Sequence, residues 1–179
     1  AYAAARSSLA RTVSAWLESR SLPGDLLGYG REGVVKKTGD YVIKRFYNGK
    51  PAQHKVDWLR AVLSDQSVFL PCTDWFREAG VWCCRYPYEP TTEVGSISEA
   101  ECREFLLECL RKNIVCLNIK SRNFRRTAQG ALLFIDVGED IIPMEVDCFV
   151  DSAARLYCIS KLGWHDDELR RRRNGVSTA

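Results

Sequence analysis

The spacing of apolar residues changes along the first half of the chain from helical to strand-like and back. Residues 2 to 20 place apolar side chains on one stripe of a predicted helix. Residues 26 to 47 alternate in the manner of strands, with a tight hairpin turn predicted at Thr38-Gly39-Asp40. Residues 51 to 65 return to helical spacing, and FLPCTDWF and VWCCRYPYE predict two further strands. This half therefore predicts a small sheet with one inserted helix.

The second half contains residues that are typical of helix starts and of turns. Ser98 followed by Glu101 predicts a capped helix. Its predicted buried side consists of Phe105, Leu106, Cys109 and Leu110. A polar loop follows, then a turn at Ala128-Gln129-Gly130, a strand over ALLFID, and a last helix from about Val146 to Leu162. We find no internal repeat and no low-complexity tract.

These elements predict an α+β protein built in two parts. We divide the chain into an N-terminal helix at 1–22, a sheet-containing part at 23–89 and a mainly helical part at 90–179. A chain of 179 residues with 46% hydrophobic content can bury a core as one domain or as two small lobes that share a cleft.

Composition limits the location and the partners. The eight cysteines contain no CxxC pair, and no apolar run approaches the roughly 20 residues that cross a bilayer, so we expect reduced thiols in a cytoplasmic protein without a membrane span. A net charge of +3 is too balanced to indicate nucleic-acid binding. The run HDDELRRRR at 165–173 is typical of a solvated terminal helix, and a nucleic-acid or lipid contact is the alternative. Further domains of a longer chain or a separate protein remain candidate partners.

A glycine-rich stretch and a following lysine predict a phosphate site. The pattern G-x-G-x-x-G-x-V is complete in Gly28, Gly30, Gly33 and Val35. A dinucleotide fold requires a helix directly after this loop, and the pattern predicts a strand instead. That strand carries Lys44, whose ammonium would face anionic oxygens that the glycines allow to approach the backbone. The alternatives are glycines that only serve a hairpin and a lysine that faces water from an edge strand.

The loop CLNIKSRNF at 116–124 contains further polar candidates. Asn118 and Asn123 stand five residues apart, and the strand that follows leads to Asp136-Val137-Gly138. Together with the glycine hairpin and the lysine strand, this order resembles the protein-kinase fold, which carries H-R-D-L-x-x-x-N and D-F-G at these places. The resemblance covers about residues 24 to 160.

The resemblance implies a two-lobed fold that binds ATP and Mg²⁺, with an antiparallel-sheet N-lobe and a reduced helical C-lobe. Asn123 and Asp136 would hold the metal ions, and Lys44 would contact the phosphates. The backbone of a hinge at 86–89, ending at Glu89, would meet the adenine. The alternative for Asp136 is a turn residue at a strand end.

The chain also departs from the family pattern. Asn118 stands where a kinase has the aspartate that accepts the substrate proton, and a carboxamide cannot take up a proton at neutral pH. Lys120 follows this position, and Asp140 is the nearest carboxylate that could replace the base. The helix after the lysine strand offers no glutamate, so Asp57 is the candidate partner for Lys44, unless it is merely an exposed residue beside Arg60.

Three functions remain open. The first is phosphotransfer from ATP to a hydroxyl of a small molecule, a glycan or an atypical protein substrate, because phosphoryl transfer depends largely on positioning and charge neutralisation. The second is a catalytically impaired pseudokinase that binds nucleotide as a regulatory or scaffold module. The third is nucleotidyl transfer on the same fold. The absence of an A-P-E motif, with only some forty residues after Gly138, argues against a regulated protein kinase. We favour phosphotransfer because Lys44, Asn123 and Asp136 are all retained.

Overall fold

The computed structural model of the chain describes residues 23–47, 50–65, 67–72 and 74–163. The predicted helix at 1–22 and the arginine-rich run at 165–173 lie outside these residues. The chain forms two compact units. Among the described residues, the first unit contains 23–65 and 71–89, and the second contains 67–70 and 90–163.

The first unit is built on one antiparallel sheet of five strands in the order β1-β2-β3-β5-β4. The strands are β1 (Asp25–Tyr29), β2 (Gly33–Thr38), β3 (Tyr41–Phe46), β4 (Asp74–Glu78) and β5 (Val81–Pro87), and helix α1 (Gln53–Val62) is inserted between β3 and β4. The predicted hairpin is confirmed, because Thr38 pairs with Tyr41 and leaves a two-residue turn. Gly39 has a φ of 61° in that turn, which glycine adopts without steric cost.

Aromatic side chains fill the core of the first unit. Phe46 on β3 stacks on Trp75 of β4 with ring centroids 5.5 Å apart, and Trp75 Nε1 donates to the carbonyl of Cys72. Strand β4 begins at Asp74, so the prediction of a strand from Phe69 is wrong at its start. Pro71 has no N–H to donate to a sheet, and Phe69 belongs to the second unit.

The second unit combines two helices with short strands. Its elements are β6 (Thr91–Glu93), α2 (Glu99–Arg111), β7 (Ile114–Cys116), a 3₁₀ turn (Ser121–Asn123), β8 (Phe124–Thr127), β9 (Leu132–Phe134), β10 (Ile141–Pro143) and α3 (Val146–Leu162). One antiparallel sheet has the order β6-β8-β9, and β7 pairs with β10 in a second. The helix predicted from about Val146 to Leu162 is confirmed. The described residues of the two units form an α+β protein with antiparallel sheets, as the sequence predicts.

Helix α2 begins with the predicted capping box. Ser98 Oγ accepts from the backbone N–H of Glu101, whose carboxylate accepts from the N–H of Ser98. The same glutamate binds Arg126 of β8 at 2.6 Å, and this guanidinium lowers the pKa of Glu101 to about 2. Phe105 and Cys109 are buried as predicted, whereas Leu110 is 51% exposed. The helix buries a narrower stripe than predicted, which runs through Cys102, Phe105 and Cys109.

Four phenylalanines form the aromatic core of the second unit. Phe105, Phe124 and Phe134 contact one another with ring centroids 5.2 to 5.5 Å apart. Phe69 joins them, 5.3 Å from Phe105 and 5.8 Å from Phe134. The Val68–Leu70 backbone also bonds to β9, since Phe134 N donates to Val68 O and Leu70 N donates to Phe134 O. The short segment at 67–70 is therefore an added edge of the second unit.

All eight cysteines lie within the described residues, and all are free thiols. Six are buried, and burial raises the pKa of Cys83 to about 11. Burial also raises the pKa of Cys84 and of Cys116 well above the ordinary value. Since the thiolate is the reactive form, these side chains behave as small apolar residues. No helix among the described ranges is long and apolar enough to cross a membrane.

Candidate functional site

The glycine-rich stretch forms the β1–β2 hairpin of the first unit. The N–H of Gly30 donates to the carbonyl of Gly33 at 3.0 Å and closes the loop. A Cβ on Gly33 would lie 2.1 Å from the carbonyl oxygen of Arg45, so this glycine is required by the close approach of β3. Cβ atoms on Gly28 and Gly30 would meet nothing within 4 Å. The first two glycines therefore have open space where a side chain would stand, whereas Gly33 is required by the sheet.

Lys44 stands in the middle of β3, between β2 and β5 rather than at an edge. It pairs across the sheet with Val35, which is half-buried, and with Cys84. The lysine is only 7% exposed, so the alternative of an edge-strand lysine that faces water is wrong. Its Nζ donates to Glu32 Oε2 at 3.1 Å, within the same unit.

Lys44 forms its ion pair with a different carboxylate from the predicted one. Asp57 is exposed on α1, where it accepts from Gln53 Nε2 at 3.0 Å and lies 3.9 Å from Arg60. The prediction that Asp57 pairs with Lys44 is corrected to Glu32, which lies in the glycine loop itself. Sequence reasoning missed Glu32 because it sought the acid on the helix alone. The sequence did contain a signal for this pair, because Glu32 directly precedes Gly33, the third glycine of the motif.

In the second unit the predicted metal residues converge. Asn123 Nδ2 donates to Asp136 Oδ2 at 3.0 Å and to the carbonyl of Asn118 at 2.9 Å. Asn118 Nδ2 donates to the same Asp136 oxygen at 3.1 Å. The two asparagines, which precede Asp136 by 18 and 13 positions, thus meet at one of its carboxylate oxygens.

Local backbone bonds hold this cluster in place. Strand β7 leads into the loop, and the buried Ser152 of α3 donates to the carbonyl of Cys116 at 2.7 Å. The 3₁₀ turn then places Asn123, which is 9% exposed, at the start of β8. Ile135 N donates to Asn123 O at 2.9 Å, which ties the loop to the segment that carries Asp136. Asp136 follows β9 by two residues, so its alternative role as a simple turn residue does not account for the two amides that bind its side chain.

The oxygen atoms of this cluster suit a metal ion that is also bound by other ligands, such as the phosphates of a substrate. Asn123 uses both amide protons, so its carbonyl oxygen is the group that it can offer to a metal. Within the described ranges no group of three or more His, Cys, Asp or Glu could enclose a metal ion. Mg²⁺ commonly binds through one or two carboxylates and the phosphates of a substrate, and one carboxylate with one amide oxygen fits that pattern.

The predicted catalytic residues belong to the same loop region. Asn118 acts as a donor toward Asp136, which is the opposite of a proton acceptor. Asp140 is half-buried, and its carbonyl accepts from Leu117 N at 2.8 Å, so it lies beside the loop. Lys120 is half-buried at the start of the 3₁₀ turn, and its carbonyl accepts from Asn123 N.

The segment predicted to meet the adenine ends the first unit. Glu89 is half-buried and is the last residue of that unit. In this segment Pro87 has no N–H, and the N–H of Tyr88 donates to Asp40 O at 2.8 Å. Tyr86 is still part of β5 and pairs with Val42 of β3.

No family model matches the sequence, and no curated protein matches it. The function must accordingly be argued from the geometry inside each unit.

Proposed function

We propose that the chain is a kinase-like domain with a two-lobed fold that binds ATP and Mg²⁺ and transfers phosphate to a hydroxyl. The first unit would supply the glycine hairpin and Lys44 for the phosphates. The second would supply Asn123 and Asp136 for the metal ion. The order of these elements along the chain supports one ligand for both sets.

The observation that carries the proposal is the shared hydrogen bonding of Asp136 with Asn118 and Asn123. Two amides oriented on one carboxylate oxygen hold its position and add no charge of their own. A turn residue would need no such orientation. The position of Lys44 is the second support, because its ammonium binds Glu32 and therefore lies beside the loop that is proposed to receive the phosphates.

The donor role of Asn118 gives the pseudokinase alternative its own support. If Asn118 is occupied in orienting Asp136, then this chain has no proton acceptor at that position, and nucleotide binding without transfer follows. Phosphotransfer would then need Asp140, which lies beside the loop, as the base. Nucleotidyl transfer needs no base at position 118 and remains the third candidate.

Binding is tested first, with the free energy of unfolding as the measurement. ATP·Mg²⁺ at about one hundred times its Kd should add about 2.7 kcal/mol. Asp136→Asn should lose most of this stabilisation, and Lys44→Met should do the same, because each removes a charge that acts on the phosphates or their metal. Asp147→Asn, an exposed change on α3, is the matched control. Equal stabilisation of all four proteins by ATP·Mg²⁺ would refute the proposal.

The reaction is tested by incubation with ATP labelled at the α- or the γ-phosphate. Transfer of the γ label supports the phosphotransferase, and transfer of the α label supports the nucleotidyl transferase. Binding without transfer of either label, with candidate acceptors present, supports the pseudokinase. The acceptors should include a sugar, a small alcohol and a hydroxyl-containing peptide.

A further inference from the structure

Glu32 places a negative charge inside the loop that is proposed to receive phosphates. Its carboxylate lies 3.1 Å from Lys44 Nζ, and the two side chains are 11% and 8% exposed. An exposed ion pair contributes little, whereas in a pair removed from water it is costly to take one partner away from the other. The ion pair thus joins the loop to β3.

The backbone directs Glu32 toward Lys44. The N–H of Tyr47, just after β3, donates to the carbonyl of Glu32 at 3.0 Å. The next residue, Gly33, packs so closely on Arg45 O that no side chain fits. The loop is therefore fixed to β3 directly after the Glu32 side chain.

The glutamate is incompletely bonded in this position. Its Oε2 binds Lys44, but no donor among the described residues reaches its buried Oε1. Desolvated carboxylate oxygens without a donor are costly, which lowers the free energy needed to move Glu32 away.

We propose that Glu32 is an internal anion that occupies Lys44 and lowers the affinity of the site for phosphate groups. This inference rests on the proposed nucleotide function and adds a residue that sets the affinity for phosphate charge. A phosphate oxygen and the Glu32 carboxylate are both anions that compete for the Lys44 ammonium. Only a multiply charged phosphate, with a divalent cation to offset its repulsion from Glu32, displaces the carboxylate, and an uncharged nucleoside gains nothing at Lys44.

The test is the affinity of Glu32→Gln for a series of ligands. We expect this variant to bind ATP·Mg²⁺ and ADP·Mg²⁺ at least about tenfold more tightly than the original chain, because the competing charge is gone and the size is kept. Adenosine, which has no phosphate, should bind both proteins equally. Glu78→Gln is the matched control, since it removes one acid from the same sheet where Glu78 binds Arg45 at 2.9 Å.

Two outcomes would overturn the inference. Weaker ATP·Mg²⁺ binding by Glu32→Gln would mean that Glu32 positions Lys44 rather than competing for it. An equal change for adenosine and ATP would mean that Glu32 only maintains the fold.

A measurement without nucleotide separates this inference from the proposed function. Acylation of Lys44 by an N-hydroxysuccinimide ester, followed by mass spectrometry, should be several-fold faster in Glu32→Gln than in the original chain. Faster acylation combined with failure of every nucleotide to bind would support the hold of Glu32 on Lys44 and refute the nucleotide function. Unchanged acylation would refute the inference whatever the nucleotides do.

Discussion

At the residue scale, one substitution within a motif changes what the neighbouring groups do. Asn118 stands where the family pattern has a carboxylate, and in this chain its amide donates to Asp136. A carboxylate at that position would place two negative charges about a hydrogen-bond length apart. The neutral amide therefore suits this loop, because it binds Asp136 without adding a second negative charge.

Asn118→Asp tests this account. Without Mg²⁺ we expect the free energy of unfolding to fall by about 1.5–3 kcal/mol, since a hydrogen bond to a charged group is lost and like charges face each other. With ATP·Mg²⁺ the variant should regain stability and should keep or raise turnover, because a base is restored. Chemical denaturation with and without Mg²⁺ measures the first effect. Complete loss of turnover, or a stability loss that Mg²⁺ does not reverse, would contradict the account.

Glu101 provides a second test at this scale, through pH. Its pKa in the folded chain is about 2, below its ordinary value of 4.5, because of the bond to Arg126. Its contribution to stability is therefore complete above about pH 4.5 and is lost as the pH falls toward 2. Glu101→Gln should lower stability by about 1–2 kcal/mol at pH 7, and the difference from the original chain should shrink as the pH is lowered through this range.

The measurement for Glu101 is urea denaturation at several pH values. Glu104→Gln, an exposed change on the same helix, should follow the original chain throughout. A difference between Glu101→Gln and the original chain that stays constant down to pH 2 would show that the ion pair is not its cause.

At the scale of single elements, the three glycines of the hairpin differ in their surroundings. Gly33 is closely packed, whereas Gly28 and Gly30 have open space where a side chain would stand. The pattern in the sequence cannot distinguish them, because the Arg45 carbonyl that crowds Gly33 belongs to another strand.

Alanine substitutions at the three glycines should have two different effects, one on stability and the other on nucleotide binding. Gly33→Ala should destabilise the chain by about 2 kcal/mol or more, because a Cβ 2.1 Å from a carbonyl oxygen forces the hairpin apart. Gly28→Ala and Gly30→Ala should change stability by less than about 1 kcal/mol and weaken ATP·Mg²⁺ binding about tenfold, since a methyl group obstructs the approach of phosphate to the backbone. Thermal unfolding and calorimetric titration distinguish the two classes. Unchanged nucleotide affinity in both Gly28→Ala and Gly30→Ala would show that the hairpin is not part of the nucleotide site.

Helices and hairpins were predictable because their signals are local. The capping box at Ser98 and the Gly39-Asp40 turn depend on residues within four positions of each other. The start of β4, the exposure of Leu110 and the Glu32–Lys44 pair depend on contacts between distant segments, and the sequence pattern gave these incorrectly or not at all. The cluster at Asp136 was predictable only through the family resemblance, since no spacing rule joins it to Asn118.

At the scale of the whole molecule, the chain enters the second unit twice. The short segment at 67–70 belongs to it, although the described residues before and after this segment belong to the first unit. Phe69 is the anchor, with its ring in the phenylalanine cluster and its backbone in a parallel bridge to Phe134. A side chain between two elements of the first unit thus contributes to the core of the second.

Phe69→Ala should reveal this connection. We expect a loss of about 3–5 kcal/mol, because a fully buried phenylalanine is replaced by a cavity. Hydrogen exchange followed by mass spectrometry should show protection lost in α2, β8 and β9 and retained in the β2–β3 hairpin. Leu107→Ala, which truncates a side chain that is 52% exposed, is the control. An equal loss of protection in β2–β3 would show that the two units unfold as one.

The position of Phe69 also determines how the protein can be dissected. A fragment that starts at Pro90 would lack the strand-like edge beside β9 and one ring of four in its core, so we expect it to aggregate or remain partly unfolded. Supplying residues 66–70 in trans as a short peptide should restore its compactness.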